Sequence, residues 1–167
     1  MTSASDVLRA AFDRHSWATL GLIDAIEDLD PSQLDTAIEG TYGSILQTLT
    51  HLVDADERYL NRFDDPSLPS GPGHRTEPLD RLRARVVANA GRWVEMLDRL
   101  DAGTLDAQIV GKSDHPDTSH AEGMLMVQAL HHGDDHRAQI CSTLGALGSD
   151  VPDLDGWAYW AAEHAGG

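Results

Sequence analysis

The sequence predicts an all-α protein, a four-helix bundle with a short extra helix towards its C-terminal end. Apolar residues recur at three- and four-residue steps through four long stretches. No stretch alternates apolar and polar residues for long enough to build a sheet. Prolines and glycines gather between the periodic stretches, where helices end. The 167 residues fit one domain, 1–167, because domains typically hold roughly 100–200 residues. With 41% hydrophobic and 24% charged residues, there is apolar matter for a core and no disorder signature.

The first helix is expected from Ser3 or Ser5 to about Leu29, with Val7, Leu8, Ala11, Phe12, His15, Thr19, Leu22, Ile23 and Ile26 on one face. Asp30-Pro31 breaks it, because the residue before a proline is pushed out of helical angles. A second helix spans about Ser44 to Phe63, tracked by Ile45, Leu49, Leu52, Val53, Asp56, Tyr59 and Leu60. Residues 64–75 hold three prolines and two glycines in twelve positions and are expected as an exposed loop. The third helix covers about Pro78 to Leu100, striped by Leu82, Val86, Trp93, Leu97 and Leu100. An irregular stretch follows, with a short extended piece at Ala107–Val110. Ser119 and Glu122 have the spacing of a capping box and open a fourth helix that Gly148 stops. A short helix at Asp153–His164 closes the chain.

Charge excludes several partners. Twelve Lys and Arg stand against 28 Asp and Glu, a formal net charge of −16. Affinity for nucleic acid rests on cations that displace phosphate counterions, and this chain has no basic tract, so DNA, RNA and anionic membranes are disfavoured. No apolar run approaches the ~20 residues that span a bilayer. The start of the chain lacks the basic-then-apolar pattern of a secretory signal, and the single Cys141 excludes an intrachain disulfide. A cytoplasmic location is expected.

Nine histidines direct attention to the fourth helix. His132 and His136, four residues apart, sit one above the other on the face that carries Leu125, Ala129 and Ile140. Two imidazoles so placed can hold one metal ion. The pair also reads as two partly buried histidines bonded to carboxylates or backbone. Metalloprotease chemistry is set aside, since the residue after the first histidine is Gly133 and not a glutamate. A third ligand must come from another helix: His51 on the second and His15 on the first are both candidates, and periodicity does not choose between them. Cys141, five residues beyond His136, is turned roughly 140° away. Asp54, Asp56, Asp134 and Asp135 read as solvated helix faces. Asp135 is also close enough to accept an imidazole N–H of His132. Trp17, Trp93, Trp157 and Trp160 read as packing residues, and Trp17 can also line a pocket mouth.

The segment HHGDDHRAQICSTLGALG resembles the fourth-helix signature of the DinB/YfiT-like metal-binding four-helix bundles. SILQTLTHLVDADERYLNRF is similar to that family's second helix, and DRHSWATLGLIDAIEDLDPSQLD to its first. The resemblance implies His51, His132 and His136 as the metal ligands, with Arg137 and Gln139 in the pattern that follows the last. Asp135, Arg137 and His15 are expected just outside the ligands or towards a substrate. Asp135 stands where many members carry a further histidine. Zinc is the favoured ion for three imidazoles and nickel the next.

For function, the resemblance implies a metal-dependent transferase that joins a low-molecular-weight thiol, such as mycothiol or bacillithiol, to an electrophile, or a thiol-dependent isomerase. The alternatives are a non-enzymatic metal-binding stress-response protein and a metal-dependent hydrolase. The thiol has to come from a co-substrate, since Cys141 is turned away. Arg137 is expected to hold a carboxylate if it reaches the pocket edge. The resemblance also points to a homodimer, with Trp157 and Trp160 covering a shared surface.

Overall fold

The computed structural model describes residues 3–64, 75–99, 108–110 and 119–165, without the side chains of 108–110 and 119–122. The elements run α1 (Ala4–Ile26), α2 (Pro31–Leu34), α3 (Ile45–Asp64), α4 (Leu79–Arg99), β1 (Gln108–Val110), β2 (Ser119–Ala121), α5 (Glu122–Leu147) and α6 (Gly156–His164). Residues 65–74 of the expected proline-rich loop, with His74, and also Leu100 and His115, lie outside the described residues.

Local chemistry sets the helix ends. Ser3 and Asp6 close a reciprocal cap at the start of α1, as Ser44 and Gln47 do before α3. Asp30 does more than end α1: it accepts from the N–H groups of Ser32 and Gln33 at 2.8 and 3.0 Å and opens the one-turn α2, with Pro31 in its first turn. α1 accordingly stops at Ile26, short of the expected Leu29. Gly148, at φ 72°, ends α5, and the N–H of Ser149 reaches back to the Leu144 carbonyl at 3.0 Å. At the other end of α5 the expectation was wrong. Ser119–Ala121 is strand, paired antiparallel with Gln108–Val110, so its backbone is taken up by that ladder and α5 begins at Glu122.

The long helices form the bundle. α1 packs against α4 and α5, and α3 packs against the same two. Two apolar clusters fill the interior. One joins Leu22, Ile23 and Ile26 to Leu49, Leu52, Val86, Ile140 and Leu144. The other joins Phe12, Leu60, Trp93, Met96, Met126 and Ala129, with Phe12 and Trp93 ring centroids 4.4 Å apart. Along every long helix, a polar residue separates the two clusters: His15 and Thr19 on α1, Asp56 on α3, Asn89 on α4, His136 and Arg137 on α5. The bundle therefore carries a buried polar layer across its middle. Among the described residues no helix is long and apolar enough to cross a membrane.

Candidate metal centre

The metal candidates lie where that layer reaches the contact between α3 and α5. Nε2 of His132 stands 3.1 Å from Nε2 of His51 and 3.1 Å from Nε2 of His136. One ligand atom from each of the three lies within 4.8 Å of the other two. A tetrahedral ion bound at roughly 2.0–2.1 Å holds its ligand nitrogens about 3.3 Å apart, so the spacing suits such an ion. The chemistry agrees. One ring nitrogen has either a proton or a lone pair, and His132 Nε2 faces two others of its kind, an arrangement a shared cation resolves. Burial, and after it the neighbouring His136 and His51, pushes His132 down to about 4. Burial also holds His136 below its usual value, against the opposing hydrogen bond that its ring donates to Gln139 Oε1. Both are neutral at neutral pH, the form in which imidazole binds a metal.

The surroundings orient two of the three rings. Tyr42, in the connection before α3, stacks on His51 at 4.0 Å and meets His136 edge-on at 5.4 Å. Gln139 Oε1 accepts from the Tyr42 backbone N–H at 2.8 Å and stands 3.4 Å from His136 Nδ1. Asp135 is exposed and accepts from Gln139 Nε2 at 3.2 Å. It therefore touches the centre through Gln139 and His136, where the expected contact was with His132. Beside His51 opens a cavity of about 240 Å³, lined by Tyr42, Gln47, Thr50, His51, Asp54 and Thr76.

His15 lies outside the trio. Its Nε2 is 2.9 Å from Asp56 Oδ2, and its Nδ1 is 3.4 Å from the Arg137 guanidinium. A carboxylate on one side and a cation on the other assign the proton to Nε2. Arg137 is 3% exposed: it donates to Thr19 Oγ1 at 2.9 Å, the His15 carbonyl at 3.3 Å and Asp134 at 2.7 Å. It faces α1 inside the core and is not at the cavity's edge, so a carboxylate there does not meet it. Asp54 and Asp56, expected on a solvated face, are buried, Asp54 against Arg85 at 2.6 Å and Asp56 against His15. Cys141 packs beside the first apolar cluster, and burial pushes its thiol up. Trp17 packs against Tyr159 of α6 with centroids 5.5 Å apart. His131 is exposed.

Sequence reasoning missed Tyr42, Gln139's link to it, and the pairing of Asp56 with His15. A signal existed for Asp56, since it interrupts the apolar stripe of α3.

Comparison with known proteins agrees with this architecture. The fold is similar to the crystal structure of a DinB-like protein of Bacillus subtilis, with a TM-score of 0.64 over 89% of this chain and 96% of that one, at 17% identity. A search of curated proteins gives no match. The profile of the DinB superfamily matches residues 12–140, and the chain belongs to that superfamily.

Proposed function

We propose that the protein binds one divalent metal ion through Nε2 of His51, His132 and His136 and uses it on a small molecule that enters beside His51. The observation that carries this reading is the convergence of three ring nitrogens, two of them on rings that burial keeps neutral, with His51 at the edge of a cavity of about 240 Å³. That is somewhat below the roughly 300–1,000 Å³ of pockets for drug-sized ligands and suits a smaller molecule. Zinc is favoured and nickel follows, because imidazole suits both.

The reaction proposed is transfer of a low-molecular-weight thiol to an electrophile. A bound divalent ion supplies a Lewis acid that lowers the pKa of a thiol. The protein's own residues do the rest. Tyr42 covers one face of His51 and excludes water from it. Gln139 fixes the ring of His136. Gln47 and Thr76 offer an amide and a hydroxyl to the entering molecule, while the Thr50 hydroxyl is taken up by the Leu46 carbonyl at 2.7 Å. Cys141 is packed away from the trio, so the thiol comes from a co-substrate. The −16 charge disfavours a strongly anionic acceptor.

Metal analysis of protein purified without an affinity tag tests the first part: close to one ion per chain is expected, and little or none in His132→Ala. Substoichiometric metal unchanged by that substitution rejects it. For the second part, metal-loaded protein is incubated with several cellular thiols and a generic electrophile. Conjugation above the uncatalysed rate that disappears in His51→Ala supports transfer. The uncatalysed rate with every thiol, mycothiol and bacillithiol included, rejects it and leaves metal binding standing.

A further inference from the structure

Two polar atoms in the buried layer have no hydrogen-bond partner among the described residues and complement one another. They are Nδ1 of His132 and Oδ1 of Asp56. A histidine that ligates through Nε2 carries its proton on Nδ1 and presents a donor there, while a carboxylate oxygen only accepts. Buried and unpaired, each forfeits its hydration with no return. The layer holds further unpaired donors, Nδ2 of Asn89 and Nε of Arg137, and such polar interiors are where buried water resides.

Asp56 is also held in place. Its Oδ2 is fixed by His15 Nε2 at 2.9 Å, and Asp56 itself is 5% exposed. The His15 ring presses against α5 at Gly133, the residue directly after His132. The acceptor, its clamp and the metal candidate thus meet at one point of the bundle.

We propose that Asp56 is a positioning residue for the metal centre, its Oδ1 accepting the Nδ1 proton of His132 through one buried water while His15 holds Oδ2. The inference rests on the metal reading above. A carboxylate behind an imidazole ligand fixes the ring's tautomer and orientation and makes its ligating nitrogen more basic, and loss of such a partner typically weakens metal binding roughly 10–100-fold. His15, a candidate ligand on sequence grounds, would then serve the centre without touching the ion.

The test compares wild type with Asp56→Asn by chelator competition for Zn²⁺ and by the visible absorption of the Co²⁺ forms. Asp56→Asn is expected to fold, to bind roughly 10–100-fold more weakly and to show an altered Co²⁺ spectrum. In the Zn²⁺-loaded wild type, nuclear magnetic resonance is expected to show a slowly exchanging Nδ1 proton on His132, assigned by its loss in His132→Ala. That measurement decides by itself if Asp56→Asn does not fold. Wild-type affinity and an unchanged spectrum in Asp56→Asn, even with a lowered melting temperature, overturn the inference and spare the metal reading. So does a freely exchanging Nδ1 proton. Absence of binding in the wild type overturns both.

Discussion

A Cβ on Gly133 would lie 2.3 Å from Cε1 and 2.7 Å from Nδ1 of His15, closer than real side chains stand. The glycine sits inside α5, where alanine is ordinarily favoured by about 1 kcal/mol. Here the His15 ring is 1% exposed and bonded to Asp56, so it has no room to withdraw. Gly133→Ala is therefore expected to destabilise by about 1–3 kcal/mol, as overpacking does. Gly91 is the control. It lies inside α4, where a methyl group in its place would meet nothing within 4 Å, so Gly91→Ala is expected to stabilise by up to about 1 kcal/mol. Thermal melts of the two variants check the pair, and a stabilised Gly133→Ala contradicts the close approach.

This contact also marks what the sequence could and could not disclose. The helices were legible because each buries one stripe, so Leu22, Leu49, Val86 and Ile140 betray themselves by local spacing. The pairing of His132 with His136 was legible for the same reason, being internal to one helix. The choice between His15 and His51 was not, since it depends on which helices meet and at what height, a long-range property with no local period. Tyr42 lies in a non-helical connection, where no periodicity signals a ring that stacks on His51. Two anomalies did carry information: a glycine in mid-helix at 133, and a carboxylate on an apolar stripe at 56.

Removing one proposed ligand tests whether a metal at this centre contributes to stability. A ligand that binds only the folded state stabilises it according to its concentration over its dissociation constant, about 2.7 kcal/mol at a hundredfold excess. Zn²⁺ in excess is expected to raise the melting temperature of the wild type by several degrees. His132→Ala, which removes the nitrogen that faces both others, is expected to show no such rise. An equal rise in both proteins places the stabilising metal elsewhere.

Acid is expected to weaken the metal-free fold from near neutrality. Burial, with the other imidazoles adding to it, pushes His132 down to about 4, whereas an unfolded histidine titrates near 6.5. Between those values the unfolded chain binds a proton that the folded chain refuses. Stability then falls as pH falls, starting near 6.5 and levelling for this group below about 4. His136, also lowered by burial, acts in the same direction. The urea midpoint of metal-free protein is expected to drop between pH 7.5 and 5, and to drop less in His132→Gln, which lacks the titrating ring. A midpoint that is flat or rising over that range in the wild type contradicts a neutral His132 and His136.

The C-terminal helix bears on assembly. Asp155 caps α6, and Tyr159 docks it against Trp17 of α1, an arrangement that leaves Trp157 80% and Trp160 58% exposed. An indole buries roughly 150–250 Å² when fully covered, so with the exposure left to them two from each of two subunits supply about 400–700 Å² of the 1,200–2,000 Å² that a stable interface needs. Two-fold dimers present the same patch from both sides, which suits a pair of outward tryptophans on one short helix. Light scattering at micromolar concentration is expected to give about twice the 18.1 kDa chain mass. Arginine at 157 and 160 is expected to return the monomer with unchanged helix content, because neither ring belongs to either apolar cluster. A wild-type mass near 18.1 kDa rejects the dimer and leaves α6 as a cap on its own bundle.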